Sequence, residues 1–448
     1  MERRLRFRGF FESSLYQVLY HHYEDFQEGY GRERQSDLGY FRHDVDETIA
    51  KFMECGDPRL GVARFECEDC QTRLYVPFSC KTRLFCPSCH TKFSELWVEQ
   101  LMSEVIRPEV PHRFWTFSIP KRLRPYFRQR KRLTWLIQAA KETIYLAMGR
   151  GKVRNFEKPG IITLIQTHGD ELNWNCHLHT LITDGVFDYS NPNEVKFHPF
   201  CFWDIKGMTE IFRRLLLKRL HREGVLSQEV VENLMSWPHS GFHVYAGEAF
   251  RDSDRIRRTL SYAFRPAVSL KQLTFDPNTR QVRYRSKKGK ALQFKPNDFI
   301  ATLTQHIPDR YQNMRRYAGF YAANVRLRIQ RAQAEENKDD LPEIRMAGPI
   351  RLHWAKLIAK IFGENPVQCP KCHKDMKLKG FLLKTNLIFK EIQVLSRAPP
   401  RKEFPRYRDL PDQSKISLEP DEGWARAPTA TSGIKDIPEE FFDQSVNW

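Results

Sequence analysis

Two cysteine pairs of the form CxxC, Cys67–Cys70 and Cys86–Cys89, stand fifteen residues apart. Each such turn aims two thiolates at one point, and two turns complete a tetrahedral zinc site. Reduced cysteines packed in a core do not account for paired spacing. The expectation is therefore a structural zinc ion on Cys67, Cys70, Cys86 and Cys89. Cys55, Cys80 and His90 lie nearby; any of them is a replacement ligand, a packing residue or part of a second metal site. The arginine-rich stretch Met1–Phe10 is not followed by an apolar segment with a small-residue cleavage site. No secretory leader is expected, so the thiols are read as ligands in a reducing, cytoplasmic setting rather than as disulfides. No apolar run approaches the roughly 18–20 residues of a membrane span.

The chain has 448 residues with 73 Lys and Arg against 55 Asp and Glu, a net charge of +18. With 41% hydrophobic residues it has material for a core, so this is a folded basic protein and not a basic tail. The charge concentrates in residues 121–160 and 251–330, where Lys and Arg far outnumber acids and aromatics interleave them. Phosphate neutralisation combined with base stacking is the physics of a strand-binding channel. Lys121, Arg122, Arg124, Arg315 and Arg316 are the expected DNA contacts. A solvated basic face with core aromatics is the plainer alternative.

Helical periodicity marks residues 11–53 and Thr91–Ile106. Strands are expected over Arg113–Ile119, Ile161–Gln166, His177–Val186 and His243–Tyr245, with a hairpin over Thr274–Arg285. Helices are expected from Pro120 to about Met148, over Ile211–Met235, over Arg255–Ala263 and from Asp298 to His306. Strands and helices alternate without a strict βαβ rhythm, so the fold class is α+β, with an antiparallel central sheet. The expected division is a helical and four-cysteine zinc-binding unit over 1–110, a central α+β unit over 111–331 and a ribbon-like CPxC module over 345–395. A proline-rich tail without apolar period, expected to be disordered, follows over 396–448. In the CPxC module, Cys369 and Cys372 form half a metal site, with His373 and His353 as possible partners, or a ribbon that holds without metal.

Two further patterns carry chemistry. On a strand, His177 and His179 share a face while Leu178 points to the other. Two neutral imidazoles can hold a divalent cation if a neighbouring strand adds a third donor. Gln166 is the first choice for that donor, then His168 and Glu171. The second pattern is Arg315-Arg316-Tyr317-Ala-Gly-Phe-Tyr321. If helical, it places two phenols one turn apart between arginines. A phenol is a competent nucleophile toward phosphorus, though two tyrosines can equally be core residues.

In their order along the chain, these segments resemble the rolling-circle insertion-sequence transposases of the HUH class, of the insertion-sequence ninety-one type. Phe65–Cys70 through Ser79–Cys89 resembles that family's zinc domain, and Phe117–Arg124 its strand-to-basic-segment entry. Gly169–Asn173 with His177–Gly185 resembles its HUH strand, Phe264–Leu270 its arginine–proline segment, and Tyr317–Gly319 its tyrosine helix. Cys369–Cys372 resembles its C-terminal ribbon. The resemblance covers residues from Cys55 to about Leu387. It implies a metal-dependent nuclease and strand transferase acting on single-stranded DNA at element ends and on target DNA. Mg²⁺ or Mn²⁺ would sit on His177, His179 and Gln166, and Tyr317 would form a 5′-phosphotyrosine with Tyr321 as second nucleophile. No P-loop is present, and a covalent intermediate needs no nucleotide cofactor. A plasmid replication initiator or relaxase of the same nuclease class, and a non-catalytic zinc-containing DNA-binding protein, are the competing readings.

Overall fold

The structure is a computed structural model. It describes residues 3–5, 10–149, 156–200, 202–336, 368–384, 386–388 and 400–406. The expected tail over 396–448, and the expected module over 345–395 up to residue 367, lie almost wholly outside the described residues.

A five-stranded sheet, antiparallel throughout, forms the centre, in the order His243–Ala246, His112–Ser118, Trp174–Thr183, Gly160–His168 and Arg315–Gly319. Two of its three inner strands, Trp174–Thr183 and Gly160–His168, are buried along nearly their whole length. That is why Gly160–His168 reads as an apolar run and not as an alternating one. Helices Pro87–Glu104, Leu133–Gly149, Ile205–Arg222 and Ser253–Ala263 pack their apolar residues onto this sheet. The α+β class with an antiparallel central sheet is what the structure has.

Two expected helices are broken where the chemistry demands it. The basic segment after Pro120 is a tight 3₁₀ run, Lys121–Arg128 then Arg130–Arg132, and the α-helix starts only at Leu133. Pro125 sits inside that run and has no N–H to donate. The segment 205–236 is two helices, Ile205–Arg222 and Gln228–Ser236, parted at Gly224, whose φ of +69° ends the first.

A second core joins the N-terminal helices Ser14–Glu33 and His43–Met53 to a small sheet, Leu273–Asp276, Gln281–Arg285 and Ala291–Phe294, and to helix Pro296–Thr304. Leu15, Leu19 and Phe52 share it with Phe299, Ile300 and Leu303. Trp97 and Leu101 belong instead to the central core. An expected boundary near residue 110 therefore does not separate the cores. Residues 273–307 fold back onto the N-terminal helices.

The third departure concerns the tyrosines. Arg315–Gly319 is an edge strand paired with Gly160–Leu164, not a helix. Gly319 adopts φ +59°, and a Cβ there would collide with the Pro159 carbonyl oxygen. The backbone turns there, so Tyr317 and Tyr321 do not share a helical face.

Candidate functional site

The central pair of strands assembles one polar cluster in a buried setting. Across the ladder Gln166 lies opposite His177, and Leu164 opposite His179. Period-two alternation then sends Gln166, His177 and His179 to the same face. His177 Nε2 and His179 Nε2 are 3.1 Å apart, and Gln166 Oε1 is 3.2 Å from His179 Nε2. All three residues are buried. Phe114 stacks on His179, and Thr116 Oγ1 lies 3.4 Å from its Nδ1. His177 Nδ1 is 2.8 Å from the Asn175 carbonyl oxygen, which can only accept. The His177 proton therefore sits on Nδ1, and Nε2 presents a lone pair to the cluster.

This donor set fits a divalent cation. Two ligands each about 2.1 Å from an ion and at right angles to one another are about 3.0 Å apart. The observed nitrogen–nitrogen and nitrogen–oxygen separations match that spacing. Burial lowers the His177 pKa to about 4 and holds that of His179 well below the ordinary value. The cation Arg265 adds to both shifts. Both imidazoles are thus neutral near pH 7, the state in which they ligate. Of the other two expected donors, His168 packs against the His306 ring. Glu171 is taken by Lys290 Nζ at 2.8 Å.

Beside Gln166 a cleft is lined by Leu84, His168, Phe264, Arg265 and His306. Its wall from Ala263 to Arg265 follows helix Ser253–Ala263, and the residue before that wall is Tyr262. Tyr262 is 41% exposed. The Arg265 guanidinium lies 4.5 Å from its ring centre and Lys287 Nζ 4.2 Å. The loop carrying Lys287 is anchored beside the site, because the Lys287 and Lys288 backbone N–H groups donate to the Asp170 carboxylate.

The tyrosines expected from sequence are placed differently. Tyr321 is fully buried, and its hydroxyl bonds His112 Nε2 at 2.8 Å and accepts from the Arg107 N–H at 3.2 Å. Burial pushes its pKa upward, which disfavours the phenolate. Tyr321 is a core residue, and the assignment of a nucleophilic role to it is corrected. Tyr317 lies on the same sheet face as His179, but roughly 12 Å away counted by two strand spacings and two residues along. Its hydroxyl accepts from Trp97 Nε1 at 2.7 Å. Tyr262 was not singled out from sequence. The available signal was a tyrosine three residues before the Arg265 of the arginine–proline segment, on a helix of its own.

Among the expected DNA contacts, Arg315 packs its guanidinium over Phe93, Trp97 and Phe264. Arg316 donates to the Asn313 carbonyl. Lys121 and Arg122 are exposed on the 3₁₀ segment, and Arg124 is half-buried.

The cysteines group otherwise than expected. Cys86 and Cys89 converge with Cys55 and Cys80, whereas Cys67 and Cys70 converge with Cys369 and Cys372. The expected single site on Cys67, Cys70, Cys86 and Cys89 is corrected. Cys67–Cys70 closes a hairpin and Cys86 opens helix Pro87–Glu104, so the two turns lie on different elements. In the first cluster Cys55 Sγ is 3.9 Å from Cys86 Sγ and 3.6 Å from Cys89 Sγ, and Cys80 Sγ is 3.5 Å from Cys89 Sγ. These spacings suit a tetrahedral thiolate site, for which about 3.8 Å is required. His90 is no ligand: its Nδ1 accepts from the Leu84 N–H, and its Nε2 bonds the Phe264 carbonyl.

Comparison with known proteins identifies the family. Residues 19–119 match a family model described as "Transposase zinc-binding domain". Residues 160–328 match one described as "Putative transposase". The chain belongs to the insertion-sequence ninety-one family of transposases. Among its relatives is the transposase for insertion sequence element IS801 of Pseudomonas savastanoi pv. phaseolicola, 26% identical over 366 residues. That match covers 74% of this chain and 82% of the relative. Another is "Putative transposase y4qJ" of Sinorhizobium fredii, 23% identical over 72% of this chain and 86% of its own length. No solved structure matches. The second matched segment contains Gln166, His177, His179 and Tyr262. As a transposase the protein acts on DNA, and its two cysteine clusters, one of them wholly within the zinc-binding domain, are suited to metal. Among the described residues no helix is long and apolar enough to cross a membrane.

Proposed function

We propose that this transposase nicks and rejoins single-stranded DNA at element ends through a tyrosine–DNA bond, and that Tyr262 is the nucleophile. The observation that carries the reading is the exposed Tyr262 phenol in contact with Lys287 and with Arg265, which lines the same cleft as Gln166 of the Gln166–His177–His179 cluster. Gln166, His177 and His179 would hold Mg²⁺ or Mn²⁺, which when bound supplies Lewis-acid polarisation of the scissile phosphate. Arg265 and Lys287 neutralise phosphate charge and fix the strand across the phenol. The Tyr262 oxygen forms the new bond to phosphorus, and the bond from phosphorus to the 3′ oxygen breaks. The phenolic proton is lost and the leaving oxygen is protonated, giving a 5′-phosphotyrosine and a free 3′-hydroxyl. The reverse attack by a 3′-hydroxyl rejoins strands with no nucleotide cofactor.

Helix Ser253–Ala263 carries one tyrosine, so the reading uses a single phenol per chain and not the pair Tyr317 and Tyr321. The test is a denaturing gel of protein with 3′-labelled single-stranded DNA from an element end, with Mn²⁺ or with chelator. A metal-dependent adduct that survives boiling and vanishes in Tyr262→Phe, while persisting in Tyr317→Phe, supports the assignment. Loss in Tyr317→Phe with retention in Tyr262→Phe returns the role to the strand tyrosine.

A further inference from the structure

Two cysteine turns some 300 residues apart meet in the N-terminal sheet with the same backbone. Cys67 and Cys70 lie in the turn between strands Val62–Cys67 and Arg73–Pro77. Cys369 and Cys372 precede strand Met376–Leu382, which pairs antiparallel with Val62–Cys67 and sets Met376 opposite Cys67. In each turn the residue after the second cysteine is left-handed, Gln71 at φ +57° and His373 at φ +59°. In each, that residue's N–H donates to the carbonyl of the first cysteine, at 3.0 and 2.9 Å. In each, the first cysteine's N–H donates five residues on, to Thr72 O at 3.0 Å and Lys374 O at 2.7 Å. Two copies of one ligand-presenting turn thus face each other.

Their sulfurs converge. Cys67 Sγ is 3.4 Å from Cys372 Sγ, Cys70 Sγ is 3.4 Å from Cys369 Sγ, and all four lie within 4.8 Å of one another. A disulfide needs about 2.05 Å, whereas four thiolates around zinc stand about 3.8 Å apart. Charge matches across the same contact: Asp69 pairs with Lys374, and Glu68 with Lys377 and Lys379.

We propose that the chain binds two zinc ions, the second shared by Cys67 and Cys70 of the N-terminal sheet and by Cys369 and Cys372 of the C-terminal strand. The segment matching the zinc-binding domain, residues 19–119, holds only half of this second site. The second ion fastens the C-terminal strand to that domain and closes a loop containing the whole central sheet. His373, a partner expected from sequence, is not among the four converging donors, and His353, the other, lies outside the described residues. The proposal stands independently of the nuclease reading.

The test is elemental analysis of the full-length protein grown with zinc. Two zinc ions per chain are expected, falling to one in the double variant Cys369→Ser, Cys372→Ser, and falling to one in Cys86→Ser through loss of the other site. In the first variant, limited proteolysis cleaves near residues 368–384 at a protein-to-protease ratio that leaves the parent intact. One zinc per chain in the parent, two in the double variant, or iron in place of zinc overturns the proposal. If the double variant does not fold, cobalt titration of the metal-stripped parent decides. Thiolate-to-cobalt charge-transfer absorbance that rises to two equivalents supports the second site, and saturation at one refutes it.

Discussion

Replacing Tyr321 with Phe separates a core tyrosine from a catalytic one. The ring volume is retained and only the hydroxyl is lost. In the native structure that hydroxyl donates to His112 Nε2 and accepts from the Arg107 N–H. His112 Nδ1 is committed to the Val110 carbonyl at 3.0 Å, so its Nε2 is a lone pair that needs a donor. Without the hydroxyl, the buried His112 imidazole nitrogen and the partly buried Arg107 backbone N–H both lose their partner. Each unmet group costs about 1–3 kcal/mol, and together they cost about 3 kcal/mol. For a unit of about 200 residues, at about 2–4 °C per kcal/mol, melting falls by roughly 6–12 °C. The assay pairs a thermal melt with the DNA-adduct gel below the lowered melting temperature. Reduced melting with an undiminished adduct is expected. An unchanged melting temperature with a lost adduct would refute the reasoning, because the hydroxyl would then act in chemistry and not in packing.

Other outcomes follow from the same geometry. Gln166→Ala removes one of three converging donors, so half-maximal nicking should need at least about tenfold more Mn²⁺; an unchanged metal requirement would exclude Gln166 from the cation. Gly319→Ala forces a Cβ into the Pro159 carbonyl at φ +59° and should unpair the edge strand, read as lost amide protection in Arg315–Gly319; protection equal to the parent speaks against it. Burial holds His112 and His306 at about 4 and keeps His168 well below its ordinary value. Unfolded, all three titrate near 6.5. Between pH 6.5 and 4 the unfolded chain takes up protons that the folded one refuses, so stability is full above 6.5 and declines as pH falls. Melting temperatures that stay level from pH 7 to 4.5 would contradict this.

Much of the site was legible in the sequence because it depends on local periodicity. Alternation on a strand is enough to put His177 and His179 on one face, and a buried neighbouring strand is the natural source of a third donor, Gln166. The helix over Ser253–Ala263 and the central strands were likewise visible as pattern. Tyr317 and Tyr321 were expected on one helical face because their four-residue spacing fits a helix, while the segment is an edge strand that turns at Gly319. In sequence Tyr262 stands out only as one of the aromatics interleaving a basic stretch, because the Arg265 and Lys287 that contact it are brought from a loop and a hairpin.

The cysteines draw the line between sequence and tertiary structure most sharply. Sequence alone determines that each CxxC turn is half of a metal site, since two residues of spacing bring two thiolates together. Which halves combine is a matter of strand pairing. Val62–Cys67 takes Met376–Leu382 as its neighbour, and with that choice Cys67 and Cys70 meet Cys369 and Cys372, leaving Cys86 and Cys89 to Cys55 and Cys80. Local spacing holds no information about a contact between positions some 300 residues apart. Only the burial and hydrogen bonding of the assembled sheet select it.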